Sequence, residues 1–245
     1  ALGRLKKAKS DVFYAREGFV TVSLSWIIMS LTGALPFFLT GEFDTYTDAL
    51  FETISGFTTT GASILSDVEA LSRCTMFWRC FTHWIGGMGV LVLILAVLPL
   101  AGGYNMYLMR AESPGPTVGK LVPRVRHTAR ILYEMYVLMT IVEIITLLLA
   151  GMPLYDSITL SFGTAGTGGF GLLNTGAAEY TATVQIILTV FMILFGINFN
   201  VYFLIRERKG LAALKHEEMR YYLGVIAVAI LLITVNVREF FTTIG

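Results

Sequence analysis

SGFTTTGASIL, residues 55–65, sets three consecutive threonines and a glycine in a chain of 245 residues that is 55% hydrophobic and 14% charged. Backbone and hydroxyl groups without partners are costly at membrane depth. Such a run therefore needs either protein packed around it or a water-lined cavity to face. A related run, FGTAGTGGFGLL, occupies residues 162–173.

The surrounding sequence is that of a membrane protein. An ordinary soluble domain is about 25% charged. Here Asp, Glu, Lys and Arg are absent from 18–41, 80–109, 144–155, 180–205 and 221–237. A spanning helix needs roughly 20 mostly apolar residues, which gives five expected spans, the third over about 131–150. Lys6, Lys7 and Lys9 precede a first span of full length, unlike a cleavable signal peptide. The expected fold class is an all-α polytopic membrane protein.

The net charge of +1 says little, but its placement is informative. Fifteen of the 18 basic residues precede span one or lie between spans two and three or spans four and five. Only Arg73, Arg79 and Arg238 lie elsewhere. Positive loops stay cytoplasmic, so the amino terminus is expected inside, with 40–75 and 151–180 outside. Cys74 and Cys80 match neither a CxxC pair nor a zinc site, and free thiols are the expectation.

The two outside segments are not hydrophilic loops. Each has an apolar run of about ten residues, too short to cross and right for a segment that enters and returns. A shift of 108 places Asp48 on Asp156, Thr59 on Thr167, Gly61 on Gly169 and Leu65 on Leu173 without gaps. LTG (39–41) pairs with LAG (149–151), and NMYL (105–108) with NVYF (200–203). The pattern reads as a repeated unit of helix, re-entrant pore helix, filter loop and helix. It divides the chain into a cytoplasmic segment 1–17, a first pore repeat 18–110, a linker 111–130, a second pore repeat 131–208, and 209–245. That last part is a linker and the first helix of a third repeat. A span without a partner makes the chain an expected fragment.

Each short helix begins with turn residues and an acid, TYTDAL (45–50) and MPLYDSI (152–158), which suit helix amino ends. Their carboxyl ends, each carrying about half a negative charge, then point inward at the Gly/Thr runs. Thr58-Thr59-Thr60-Gly61-Ala62 and Gly166-Thr167-Gly168-Gly169 can present successive carbonyls and hydroxyls, glycine allowing the needed turns. Carbonyl dipoles standing in for a lost water shell are the working principle of an ion filter. Neutral oxygens suit a hard, singly charged cation that must leave again.

Helix, pore helix, TTTGAS and helix, with HWIGGMGVLVL (83–93) on the following helix and AESPG (111–115) after it, resemble the Trk/Ktr/HKT potassium-uptake superfamily in its bacterial TrkH-type branch. The resemblance covers essentially the whole chain. It implies potassium (K+) as the transported ion, no intrinsic cofactor, and four repeats around one pore. Two of its filter strands would be Thr59, Thr60 and Gly61 with Thr167, Gly168 and Gly169. It also implies a bacterial cytoplasmic (inner) membrane, a homodimer of the full-length chain, and a cytoplasmic ring of nucleotide-binding regulatory subunits. Two repeats and the family's gating elements are missing from this sequence.

Other residues leave alternatives open. Gly86, Gly87 and Gly89 are expected to pack closely, with a hinge as the other reading. Glu143 is either functional or a hydrogen-bonded structural carboxylate, while Glu134 is expected solvated or paired. Asn198 and Asn200 face the pore or cap a helix. His83 and Trp84 are expected as interfacial anchors. Basic residues of 110–130 suit anionic lipid headgroups, and nothing points to nucleic acid. A membrane enzyme would need a histidine or metal cluster, yet His127 and His216 fall in basic segments away from His83, with no H-E-x-x-H or G-x-S-x-G. Sodium or ammonium remains an alternative cation.

Overall fold

The structure is a computed structural model that describes residues 15–89, 125–206 and 217–242. Among these residues all regular structure is helical. Helix α1 (Ala15–Leu39) is long and apolar and carries Pro36 near its end. Gly41, at φ +73°, turns the chain into α2 (Tyr46–Phe57). There the Thr45 side chain accepts from the Asp48 amide and satisfies a first-turn donor. Ser72 caps α3 (Arg73–Gly87) in the same way, through the Thr75 amide.

Helix α4 (Val125–Leu149) leads through Gly151, at φ +90°, to α5 (Leu154–Ala165), which starts behind Pro153 with Asp156 in its first turn. Then come α6 (Ala182–Gly196), α7 (Phe199–Arg206) and α8 (Glu217–Thr242).

Among the described residues three segments are long and apolar enough to cross a membrane, Phe19–Leu39, Arg130–Leu149 and Glu217–Arg238, which correspond to spans one, three and five. Within the described residues, the helices of spans two and four each end early. Helix α3 stops after 15 residues at Gly87, because Met88 and the left-handed Gly89 (φ +75°) close it with a Gly89 N–H to Gly86 carbonyl bond. The NMYL and AESPG readings lie outside the described residues, as does the linker 111–130 up to residue 124; its last six residues are already helical in α4. Helix α6 also stops after 15 residues, at Gly196, and α7 starts at Phe199.

The internal repeat is visible in the helix bounds. Helices α2 and α5 are both 12 residues long and start 108 positions apart. Helices α3 and α6 are both 15 residues long, 109 apart.

Residues up to Phe195 form one compact unit and those from Gly196 a second. In the first, α1 lies so close on α2 that a β-carbon on Gly33 would meet the Phe57 ring at 2.6 Å and Thr53 at 3.0 Å. Ala34, Phe37, Phe43 and Ala49 form the core between them, and the Trp78 indole of α3 donates to the Gly33 carbonyl. Helix α3 packs on both short helices, and its rings join the repeats. Phe81 and Trp84 each lie 5.5 Å from Phe162 of α5, and Trp84 lies 5.5 Å from Tyr136 of α4. These aromatic pairs add about 0.5–1.5 kcal/mol each beyond their burial. The opposite faces of the long helices expose Phe19, Leu24, Ile27 and Ile28 on α1 and Leu138, Ile141 and Ile145 on α4, surfaces suited to lipid. In the second unit, Asn198 precedes α7, its carbonyl accepts from the Val201 amide, and its side chain donates to Glu218. Asn198 thus braces a helix end.

Candidate functional site

The last turn of α2 closes at Thr58 (φ −80°, ψ 0°), and the next residue, Thr59, takes φ +53°. The last turn of α5 closes at Gly166 (φ −74°, ψ −7°), followed by Thr167 at φ +55°. Each threonine amide reaches back three residues, Thr59 to the Gly56 carbonyl and Thr167 to the Thr164 carbonyl. Two positions later Gly61 and Gly169 sit at φ +75° and +80°. A left-handed residue after a helix reverses the chain and satisfies its last carbonyls. For a β-branched residue that conformation is an outlier costing on the order of 1–3 kcal/mol. Carrying it at two repeat-equivalent positions means that both turns follow one backbone plan.

The two turns meet. A β-carbon on Gly61 would collide with the Gly168 carbonyl oxygen and lie 2.8 Å from its carbon. One on Gly168 would lie 2.6 Å from the Thr59 carbonyl oxygen, and one on Gly166 would lie 3.2 Å from the Thr59 methyl. Of the six filter candidates, Thr59, Gly61 and Gly168 are thus in mutual contact. Thr60, Thr167 and Gly169 sit on the same two turns and are exposed. The Thr60 amide donates to the Ser55 carbonyl, and its hydroxyl shares a 2.8 Å bond with that of Thr58. Backbone carbonyls and threonine hydroxyls, all neutral oxygens, therefore gather beside the carboxyl ends of two short helices. Among the described residues no group of three or more His, Cys, Asp or Glu is placed to hold a metal ion.

Helix α3 backs this arrangement. A β-carbon on Gly86 would overlap the Phe57 carbonyl at the end of α2, and one on Gly87 would lie 3.0 Å from the Ala165 carbonyl at the end of α5. The glycine pair is the close-packing surface expected of small residues between membrane helices.

His83 departs from the sequence expectation. It is fully buried behind the second turn, its ring 4.0 Å from that of Phe170, because α3 runs beneath both turns instead of ending at the surface. Trp84 is half-buried and donates to Thr140. Glu134 is exposed and paired with Arg130. Glu143 is fully buried, with the Thr164 hydroxyl of α5 beside its carboxyl. Cys74 and Cys80 are free thiols.

Sequence reasoning missed a buried ion pair. The Arg79 guanidinium donates to Glu52 at 2.6 Å, with both side chains nearly inaccessible, 3% and 0% exposed. Glu52 also accepts from the Ser63 hydroxyl and the Ile64 amide, and Arg79 donates to the Gly171 carbonyl at 3.0 Å. The available signal was Arg79 itself, a basic residue away from the cytoplasmic clusters.

Carboxylates tie together the loop segments that follow the two turns. Asn174 accepts from the Val68 amide and donates to Asp67, whose carboxyl is held below its ordinary 3.8, first by that bond and then by the Glu69 amide. Burial raises the Glu42 carboxyl, but hydrogen bonds from Ser72 and Thr75 outweigh this and bring it below 4.5.

The chain as a whole is similar to known proteins. The family model TrkH, cation transport protein, matches residues 1–241. The Trk system potassium uptake protein TrkH of Salmonella typhimurium is 38% identical over 215 residues, 86% of this chain and 44% of that protein. The Trk system potassium uptake protein TrkG of Escherichia coli K12 is 37% identical, over 89% of this chain and 46% of that one. The crystal structure of the potassium transporter TrkH from Vibrio parahaemolyticus superposes with a TM-score of 0.76 at 28% identity, covering 96% of this chain and 48% of that one. The chain spans about half the length of the curated relatives it matches.

Proposed function

The chain belongs to the TrkH family of cation transport proteins, and from that premise we propose that it supplies two of four filter strands in a pore that takes up potassium across the bacterial cytoplasmic membrane. Thr59, Thr60 and Gly61 form one strand and Thr167, Gly168 and Gly169 the other. The observation that carries the reading is the matched pair of turns, left-handed at Thr59 and Thr167 and again at Gly61 and Gly169, in contact through the Gly168 carbonyl. A cation stripped of water there meets neutral oxygens in place of its hydration shell. The carboxyl ends of α2 and α5 favour it further, by about 0.3–1 kcal/mol each and up to about 2 when partly buried. Nothing in this scheme breaks or makes a covalent bond, and the protein acts as a conduit and not as an enzyme.

In this reading the first pore repeat is 18–110 and the second 131–208, with 209–245 opening a third. The amino terminus is cytoplasmic. The full-length chain works as a homodimer in lipid, beside a cytoplasmic nucleotide-binding regulatory subunit.

Thallium soaked into crystals of the complete protein tests the filter directly. Anomalous density beside both turns is the expected result, and a well-resolved map without it refutes the assignment. A competing monovalent cation, sodium or ammonium, would be revealed by its outcompeting rubidium for uptake.

A further inference from the structure

The repeat that relates the two turns also isolates what differs between them. Glu52 of α2 corresponds, by the shift of 108, to Leu160 of α5. Arg79 of α3 corresponds, by the shift of 109, to Leu188 of α6. In the second repeat these two leucines pack together in one buried apolar cluster with Leu147 and Val184. The same architecture is therefore held once by an ion pair and once by two leucines. Because an apolar pair suffices at this place, the ion pair is not required for the fold, in line with the general finding that buried ion pairs add little stability over packed apolar residues.

What the ion pair does and two leucines cannot do is reach the turns. Glu52 accepts from the Ser63 hydroxyl at 2.9 Å and the Ile64 amide at 3.0 Å, two and three residues after Gly61. Arg79 donates to the carbonyl of Gly171, two residues after Gly169, while its guanidinium lies 3.7 Å from the centre of the Phe170 ring. Ser63 and Gly171 are themselves equivalent by the shift of 108. The pair thus grips the same point on both strands. Arginine suits this, since its planar fork can serve a carboxylate and a carbonyl at once while lying on an aromatic face.

We infer that Glu52 and Arg79 are positioning residues for ion selection, a bracket that sets the separation of the two strands without touching the ion. This rests on the filter reading above. The test uses the complete polypeptide in vesicles, with rubidium and sodium uptake measured side by side and melting temperature recorded for each variant. Glu52→Leu/Arg79→Leu installs the second repeat's own solution. It is expected to fold with a melting temperature at or above that of the parent, yet to lose about fivefold or more of the rubidium-over-sodium ratio. Arg79→Lys keeps the charge but not the fork, and should lose part of the ratio. Ser63→Ala, at the end of the bracket, should lose a smaller part.

A folded double variant with the parental ratio overturns the inference. If that variant does not fold, a parental ratio in both Arg79→Lys and Ser63→Ala overturns it instead. Gly61→Ser serves as the reference. If it shifts the ratio while the bracket variants do not, only the bracket fails. If it too leaves the ratio unchanged, the filter reading beneath the bracket has failed.

Discussion

Placing a methyl group on Gly61 tests whether the contact between the two turns governs selection. The backbone there is at φ +75°, and a β-carbon would lie 2.8 Å from the Gly168 carbonyl carbon, with that oxygen closer still. An L side chain in this conformation costs roughly 1–2 kcal/mol. Forcing an added methyl into a packed site costs about 1–3 kcal/mol more. The backbone of Gly168 is what must yield, because no flexible side chain lies in the way. Its carbonyl is one of the proposed ion ligands, so the strain falls on ligand placement.

Gly41→Ala and Gly151→Ala are matched controls. Both sit at positive φ, +73° and +90°, with nothing within 4 Å of the new methyl. They carry the backbone cost alone, far from the turns in sequence. A difference of about 1.4 kcal/mol between two ions is tenfold in their ratio. Gly61→Ala should therefore lower rubidium-over-sodium uptake by about tenfold, whereas the two controls leave the ratio unchanged and lower only the melting temperature. Equal ratios in all three variants would refute the claim that the Gly61–Gly168 contact sets ligand spacing.

Other contacts give three more expected outcomes. Gly86→Ala puts a methyl into the Phe57 carbonyl, so α3 cannot lie against α2, and the melting temperature should fall by the equivalent of about 1–3 kcal/mol. Arg79→Leu alone strands the Glu52 carboxylate among buried groups and should cost about 3–5 kcal/mol, measured as lost folded yield. Glu52→Leu/Arg79→Leu should recover that loss. Asn174→Ala should loosen the loops that follow the two turns at neutral pH, read as faster proteolysis within 66–72. In the parent, the Asp67 contribution is fully present above its ordinary pKa of 3.8 and fades as pH falls through the lower folded value. The gap between the proteolysis rates of parent and variant should therefore narrow in acid, leaving the part due to the Val68 amide bond.

Much of the architecture was legible because membrane physics writes it in composition. Long, mostly apolar runs marked α1, α4 and α8, and the acids at Asp48 and Asp156 marked where the short helices begin. The shift of 108 found from a handful of letters reappears in the helix bounds and in the four left-handed residues at Thr59, Gly61, Thr167 and Gly169. The left-handed threonines themselves were not legible, since steric preference argues against them and only the surrounding packing imposes them. The end of α3 at Gly87 was not legible, because its glycines sit in an apolar run that hydropathy alone cannot distinguish from an unbroken span. His83 was misjudged for a related reason. Sequence gives distance along α3 but not the fact that a second turn folds over it.

The ion pair was hidden more deeply. Its partners stand 27 residues apart on different helices, and Arg79 and Gly171 stand 92 apart, so no local spacing connects them. Yet the repeat contained the clue. Aligning the two units sets an acid against Leu160 and an arginine against Leu188, each unmatched. In a membrane protein, where an isolated charge at depth is expensive, two unmatched charges of opposite sign in one repeat imply that they meet. Differences between internal repeats are thus as informative as their agreements. The agreements here outline the frame that both turns share, and the departures mark where one of them acquired a contact reaching across to the other.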